Sequence, residues 1–138
     1  MRKTTVYDCS IILLDKHHHA KGNISVIENE RTIPFEIKRV YYLYDVPGGV
    51  SRGGHAHIEL NQLIVAASGS FNVTINDGIV ERTFFLNHPN QGLLIVPGIW
   101  RELTDFSSGS VCLVLASETY NEGDYIREYS TFLKYKGQ

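Results

Sequence analysis

The sequence predicts an all-β fold of the jelly-roll or related barrel type, ending in a short C-terminal helical turn. Three observations carry this. Short segments rich in Val, Ile, Phe and Tyr recur along the chain, punctuated by 12 glycines and 4 prolines. Phe71, Val73 and Ile75 alternate with Asn72 and Thr74, the period-two pattern of a half-buried antiparallel strand. No long helical pattern is visible before the C-terminus.

The elements follow in chain order. Strands are expected at residues 24–27 and 37–44, the second ending at Asp45-Val46-Pro47-Gly48-Gly49. A short strand at 55–57 precedes one at 62–67, which stops at Ser68-Gly69-Ser70. The strands at 71–75 and 82–86 flank Asn76-Asp77-Gly78, a strong hairpin signal because all three residue types tolerate positive φ. His88-Pro89-Asn90 separates them from strands at 93–96 and 111–117. Residues 124–135 are expected to form one or two helical turns with Asp124 as the cap. About eight strands at such intervals suit a jelly roll, whose mouth can hold a small ligand.

Length and composition narrow the function. The 138 residues suffice for one domain, read as 1–138, with no internal boundary or repeat. A net charge of −2 with no basic block argues against a nucleic-acid binder. No apolar run approaches the roughly 20 residues of a membrane helix, and the N-terminus lacks the pattern of a signal peptide. A cytoplasmic protein is expected, with Cys9 and Cys112 as free thiols.

The informative stretch is Arg52-Gly53-Gly54-His55-Ala56-His57. Residues two apart on a strand share a face, so both imidazoles project together. Its spacing, from Gly49 through His55 and His57 to Gly69, resembles the first cupin motif, with Gln62 at the acidic position. Arg101 stands near the place where metal cupins have a further histidine. Gln is a weak neutral ligand and Arg cannot ligate, so no metal is expected. The histidines are left for proton transfer or ligand binding.

Four segments together resemble the nucleotide-sugar 3,4-ketoisomerases, cupins that act on dTDP-4-keto-6-deoxyglucose. They are Ile33-Pro34-Phe35-Glu36-Ile37-Lys38-Arg39-Val40-Tyr41-Tyr42, then Arg52 to His57, Leu115-Ala116-Ser117-Glu118, and Asp124-Tyr125-Ile126-Arg127-Glu128-Tyr129. The resemblance implies an isomerase of deoxysugar biosynthesis for cell-surface polysaccharide, working without a cofactor. It implies a homodimer with exchanged N-terminal strands, and His57 as the main acid/base. The chain departs from the family at Lys21-Gly22-Asn23-Ile24, after His17-His18-His19, and at Trp100-Arg101-Glu102, where many members have Trp-His-Glu. Lys21 and Arg101 therefore bear on the configuration left at C4. A nucleotide-sugar 3,5-epimerase and a non-catalytic sugar-nucleotide-binding cupin are the competing readings.

Moving a ketone from C4 to C3 needs a near-neutral base at C3 and positive charge beside the enediolate. Arg101, Tyr42 and His55 are the candidates for that charge and hydrogen bonding. Tyr42 is preferred over Tyr41, although sequence does not fix which strand face is inward. Arg52, beside two glycines, is the leading diphosphate clamp; Lys38, Arg39 and Arg127 are weaker ones. Gln62 is placed against the sugar or an imidazole, His17 to His19 in an exposed loop, and Trp100 in the core.

Overall fold

The computed structural model describes residues 3–138; Met1 and Arg2 lie outside the described residues. The strands are β1 (Ser10–Leu13), β2 (Asp15–His17), β3 (Ile24–Val26), β4 (Arg39–Leu43), β5 (Arg52–His57) and β6 (Gln62–Ser68). They continue with β7 (Phe71–Asn76), β8 (Glu81–Leu86), β9 (Gln91–Ile95), β10 (Trp100–Thr104), β11 (Val111–Ala116) and β12 (Tyr125–Ile126). Helix α1 (Tyr129–Tyr135) follows.

Two five-stranded antiparallel sheets form the body, ordered β1-β9-β6-β11-β4 and β12-β5-β10-β7-β8. They stack as a jelly-roll sandwich whose edges are not hydrogen-bonded to each other, so the barrel is not closed. Strands β2 and β3 make a separate two-stranded hairpin.

Alternation along the strands sorts the side chains. Ile64 and Ala66 of β6, Cys112 and Val114 of β11, and Phe71, Val73 and Ile75 of β7 fill the space between the sheets. Leu63 and Val65 point the other way, under Leu14, Ile33 and Phe35. Strand β6 is therefore apolar on both faces, which is why it reads as a continuous run rather than an alternation. Helix α1 lays Phe132 over Trp100, Ala56 and Ile126 on the outside of the second sheet, so Trp100 is a packing residue, as expected.

The expected hairpin joins β7 to β8. Asp77 accepts the backbone N–H groups of Ile79 and Val80 through Oδ1, and that of Val6 through Oδ2. The turn carboxylate thus also ties down the N-terminus.

Four strands and the helix start differ from the expectation. Strands β1 and β2 are largely exposed and carry little apolar alternation. Strand β12 is only two residues long. Strand β10 turns Arg101 inward, so its buried face breaks the apolar pattern. Asp124 does not cap α1: it ends a 3₁₀ turn (Glu122–Asp124), and the helix begins after Glu128 with no side-chain cap. Its carboxylate is engaged elsewhere.

Candidate active site

The site grows around β5. On one side β10 places Arg101 opposite His55; on the other β12 places Tyr125 opposite His57. Strand β4 of the facing sheet brings Tyr41 across, and Arg101 Nη2 donates to its hydroxyl at 2.9 Å. Gly53 makes this approach possible. Its φ of 75° is left-handed, and a Cβ there would sit 2.8 Å from Arg101 Nη1.

These elements enclose a cavity of about 310 Å³ with Tyr41, Arg52, His55, Arg101, Tyr125 and Arg127 on its wall, together with the Gly53 and Gly54 backbone. Three guanidiniums and no carboxylate line it. Such a wall suits an anion with several oxygens, because each guanidinium presents a planar fork of donors. His57 lies directly behind His55, with ring centroids 4.8 Å apart, and 4.4 Å from the Tyr125 ring.

Several buried polar atoms near this cavity have no protein partner: Nε2 of both His55 and His57, and Nε and Nη1 of Arg101. Gln62 Oε1, also buried, is in the same condition. Unpaired buried groups cost free energy, so their concentration here marks a place built for a polar ligand.

Electrostatics keep both imidazoles neutral. Burial pushes His55 far below the ordinary histidine range, and Arg101 and His57 push it further. Burial and Arg101 also lower His57, but a hydrogen bond from its Nδ1 to Asp124 Oδ2, at 3.0 Å, opposes them. Burial raises the Tyr41 hydroxyl above the usual tyrosine range.

The structure brings together His55, His57, Arg101 and Arg52, and seats Gln62 in the interior. It corrects the tyrosine: Tyr42 is 58% exposed on the outer face of β4, while Tyr41 points inward with Arg39 and Leu43. Lys21 is exposed in the turn between β2 and β3, off the wall of the cavity in its own chain. Lys38 is also off the wall and faces Glu118 at 3.9 Å. Arg39 stands one layer behind, 5.1 Å from the Tyr41 ring centroid and donating to the Tyr125 hydroxyl at 3.3 Å. Arg127 reaches the wall, 4.2 Å above the Tyr125 ring and paired with Glu122. His17 to His19 are exposed, with His18 Nδ1 2.7 Å from Asn23 Oδ1.

Sequence reasoning missed Asp124 and Tyr125 as site residues. For Tyr125 the available signal was period-two spacing: Tyr125 and Arg127 flank Ile126, whose side chain packs into the outer apolar cluster.

Comparison with known proteins places the chain in a family. The family described as "FdtA: WxcM-like, C-terminal" matches residues 7–137. A TDP-4-oxo-6-deoxy-alpha-D-glucose-3,4-oxoisomerase from Aneurinibacillus thermoaerophilus is 44% identical over 125 residues, covering 91% of this chain and 90% of that protein. A 3,4-ketoisomerase from Helicobacter canadensis superposes with a TM-score of 0.92 at 44% identity, covering 95% and 98% of the two chains. QdtA, a sugar 3,4-ketoisomerase from Thermoanaerobacterium thermosaccharolyticum solved with TDP, gives 0.94 at 39% identity over 96% of each chain. A dTDP-4-dehydrorhamnose 3,5-epimerase from Bacillus anthracis shares the fold at a TM-score of 0.77 but only 15% identity, covering 89% of this chain and 79% of that one. With its fold, its paired histidines and its arginine-lined cavity, the chain belongs to the WxcM-like family of sugar-nucleotide 3,4-ketoisomerases.

Proposed function

We propose that this chain is the isomerase that moves the keto group of TDP-4-keto-6-deoxyglucose from C4 to C3. The observation that carries it is the juxtaposition of two buried histidines with Arg101 on the wall of a cavity lined by three arginines. Family membership supplies the substrate class.

In this reading the diphosphate sits against Arg52 and Arg127, and the sugar reaches inward to the unpaired atoms of Arg101, His57 and Gln62. His57 Nε2 takes the C3 proton. The C–H electrons form a C3=C4 bond, and the charge moves onto the C4 oxygen. Arg101, held by Tyr41, offsets that charge, as preorganised donors do best in a site shielded from water. His55 passes the O3 proton to O4, and the proton on His57 is delivered to C4. The product carries its ketone at C3. The division of labour follows from basicity: the Asp124 contact favours proton uptake by His57, while the leading influences on His55, burial and Arg101, both oppose it.

A homodimer with exchanged N-terminal strands belongs to the same reading, as does a cytoplasmic role in deoxysugar biosynthesis. Strand β1 pairs with β9 of its own chain here, at an open sheet edge. It leaves Leu13 72% exposed and Ile11 37% exposed, and Ile24 on the neighbouring hairpin is 65% exposed. A partner's equivalent strand can make the same register and cover those side chains.

The test compares His57→Asn and His55→Asn with the parent enzyme, measuring turnover and TDP affinity together. His57→Asn is expected to lose at least about 10²–10⁴-fold in kcat, the usual contribution of a general acid–base group, with TDP affinity retained. His55→Asn is expected to lose less. Near-normal turnover by His57→Asn removes it as the base.

A further inference from the structure

A carboxylate stands behind the histidine pair. Asp124 lies at the end of the 3₁₀ turn that precedes β12, and its place is fixed from both ends: Ile58 N–H donates to its backbone carbonyl at 3.0 Å, and Glu59 N–H to its Oδ1 at 2.7 Å. That leaves Oδ2 aimed at His57 Nδ1, 3.0 Å away, with the two side chains 10% and 2% exposed. The pairing of Tyr125 with His57 across β12 and β5 sets the register that brings this carboxylate to the imidazole.

From this juxtaposition we infer that Asp124 is a positioning residue, which holds His57 in the Nδ1–H tautomer and so presents the bare Nε2 as the proton acceptor. The inference rests on His57 being the base. A carboxylate only accepts hydrogen bonds, so the 3.0 Å contact puts the proton on Nδ1. A neutral imidazole carries one N–H, and its other nitrogen is then a lone pair. That nitrogen is the buried, unpartnered Nε2.

The same contact separates the roles of two otherwise similar histidines. His57 is faced by His55 from its own strand, Arg101 from β10, Arg39 from β4, and Asp124 and Tyr125 from the β12 segment. The two guanidiniums oppose an imidazolium, and Asp124 alone among these groups offsets it. His55 lies among Arg101, Arg127, Arg39 and His57, each of which opposes its protonation. A proton taken from carbon therefore rests on His57 at lower cost.

Asp124→Asn tests this sharply. Glu59 N–H still requires an oxygen, so the amide of the replacement turns its NH₂ toward His57 and donates to Nδ1. The imidazole proton is then forced onto Nε2, and the base is lost with little change in shape. In serine proteases the corresponding exchange behind a catalytic histidine lowers kcat about 10⁴-fold. The experiment records ¹⁵N NMR of the histidine rings in the parent enzyme, and kcat, KM and TDP affinity in Asp124→Asn, Asp124→Glu and His57→Asn. The expected parent spectrum shows His57 protonated at Nδ1 and bare at Nε2. Asp124→Asn is expected to lose about 10²–10⁴-fold in kcat with KM and TDP affinity within about threefold, and Asp124→Glu to recover part of the loss. A parent His57 protonated at Nε2, or Asp124→Asn within about threefold of parent kcat, overturns the inference. An active Asp124→Asn beside an inactive His57→Asn refutes only the role of Asp124; activity in both refutes the role of His57 as well. Should Asp124→Asn fail to fold, the parent spectrum and Asp124→Glu still decide.

Discussion

At the scale of single residues, Arg101 does the most. Its guanidinium is almost wholly buried, fixed by one hydrogen bond to Tyr41, and it lowers both histidines. Arg101→Met is expected to cost about 10²–10³-fold in kcat, the loss typical of an oxyanion donor, and to raise the His55 pKa, readable by NMR titration. Retained kcat would show that the enediolate is stabilised elsewhere. Of the two departures from the family pattern, Arg101 lies on the cavity wall of its own chain, whereas Lys21 reaches a site only through the exchanged N-terminal segment. Arg101→His is expected to alter the ratio of C4 epimers, and an unchanged ratio would exclude that role. The lowered histidines also shape the pH response. Their folded values lie below the ordinary value near 6.5, so between the two the unfolded chain binds more protons. Their contribution to stability is complete above about pH 6.5 and is lost as pH falls toward the folded values. Denaturant midpoints measured at about pH 7.5 and about pH 5 are expected to show a loss on the acid side, diminished in a His55→Asn variant. An acid-side loss that this variant leaves unchanged would assign it to other groups.

At the scale of elements, the site is where four strands deliver one to three side chains each. Strand β5 supplies Arg52 and the histidines, β10 Arg101, β4 Tyr41 and β12 Tyr125. The sequence made β5 legible, because two histidines separated by one alanine have no common reason to share a strand face other than chemistry. It made Arg101 legible through its place after Pro97 and Gly98. It did not decide between Tyr41 and Tyr42, since β4 is an edge strand with aromatic residues on both faces. Tyr42 and Tyr44 lie together outside, ring centroids 5.7 Å apart, and their bulk obscured the inward face. Asp124 reads as a helix cap in the sequence because it precedes α1; its actual bonds are to residues far away in sequence, which local spacing cannot reveal. Tyr41→Phe separates the two tyrosines. It removes the hydroxyl that accepts from Arg101 and is expected to lower kcat, whereas Tyr42→Phe is expected to leave it unchanged. The opposite result would return the role to Tyr42.

At the scale of the whole molecule, two stacked sheets leave open edges, and the exposed apolar residues of β1 and the β2–β3 hairpin lie at one of them. Deleting residues 1–14 is expected to abolish the soluble dimer, measured by analytical ultracentrifugation; an active monomeric parent would contradict the exchanged-strand assembly. The donor set at the His-x-His pair includes a permanent cation rather than a third ligand, so activity is expected to survive exhaustive chelation. Loss with chelator and recovery with one divalent ion would reverse that. The shared jelly roll also serves 3,5-epimerases, and the chemistry distinguishes the two outcomes. The most direct measurement is an NMR time course of the chain with TDP-4-keto-6-deoxyglucose in D₂O. The expected result is movement of the carbonyl carbon from C4 to C3 with the C5 proton retained, and deuterium at C4 wherever the imidazole exchanges before returning its proton. A carbonyl that stays at C4 while deuterium enters C3 and C5 would contradict the ketoisomerase and identify an epimerase.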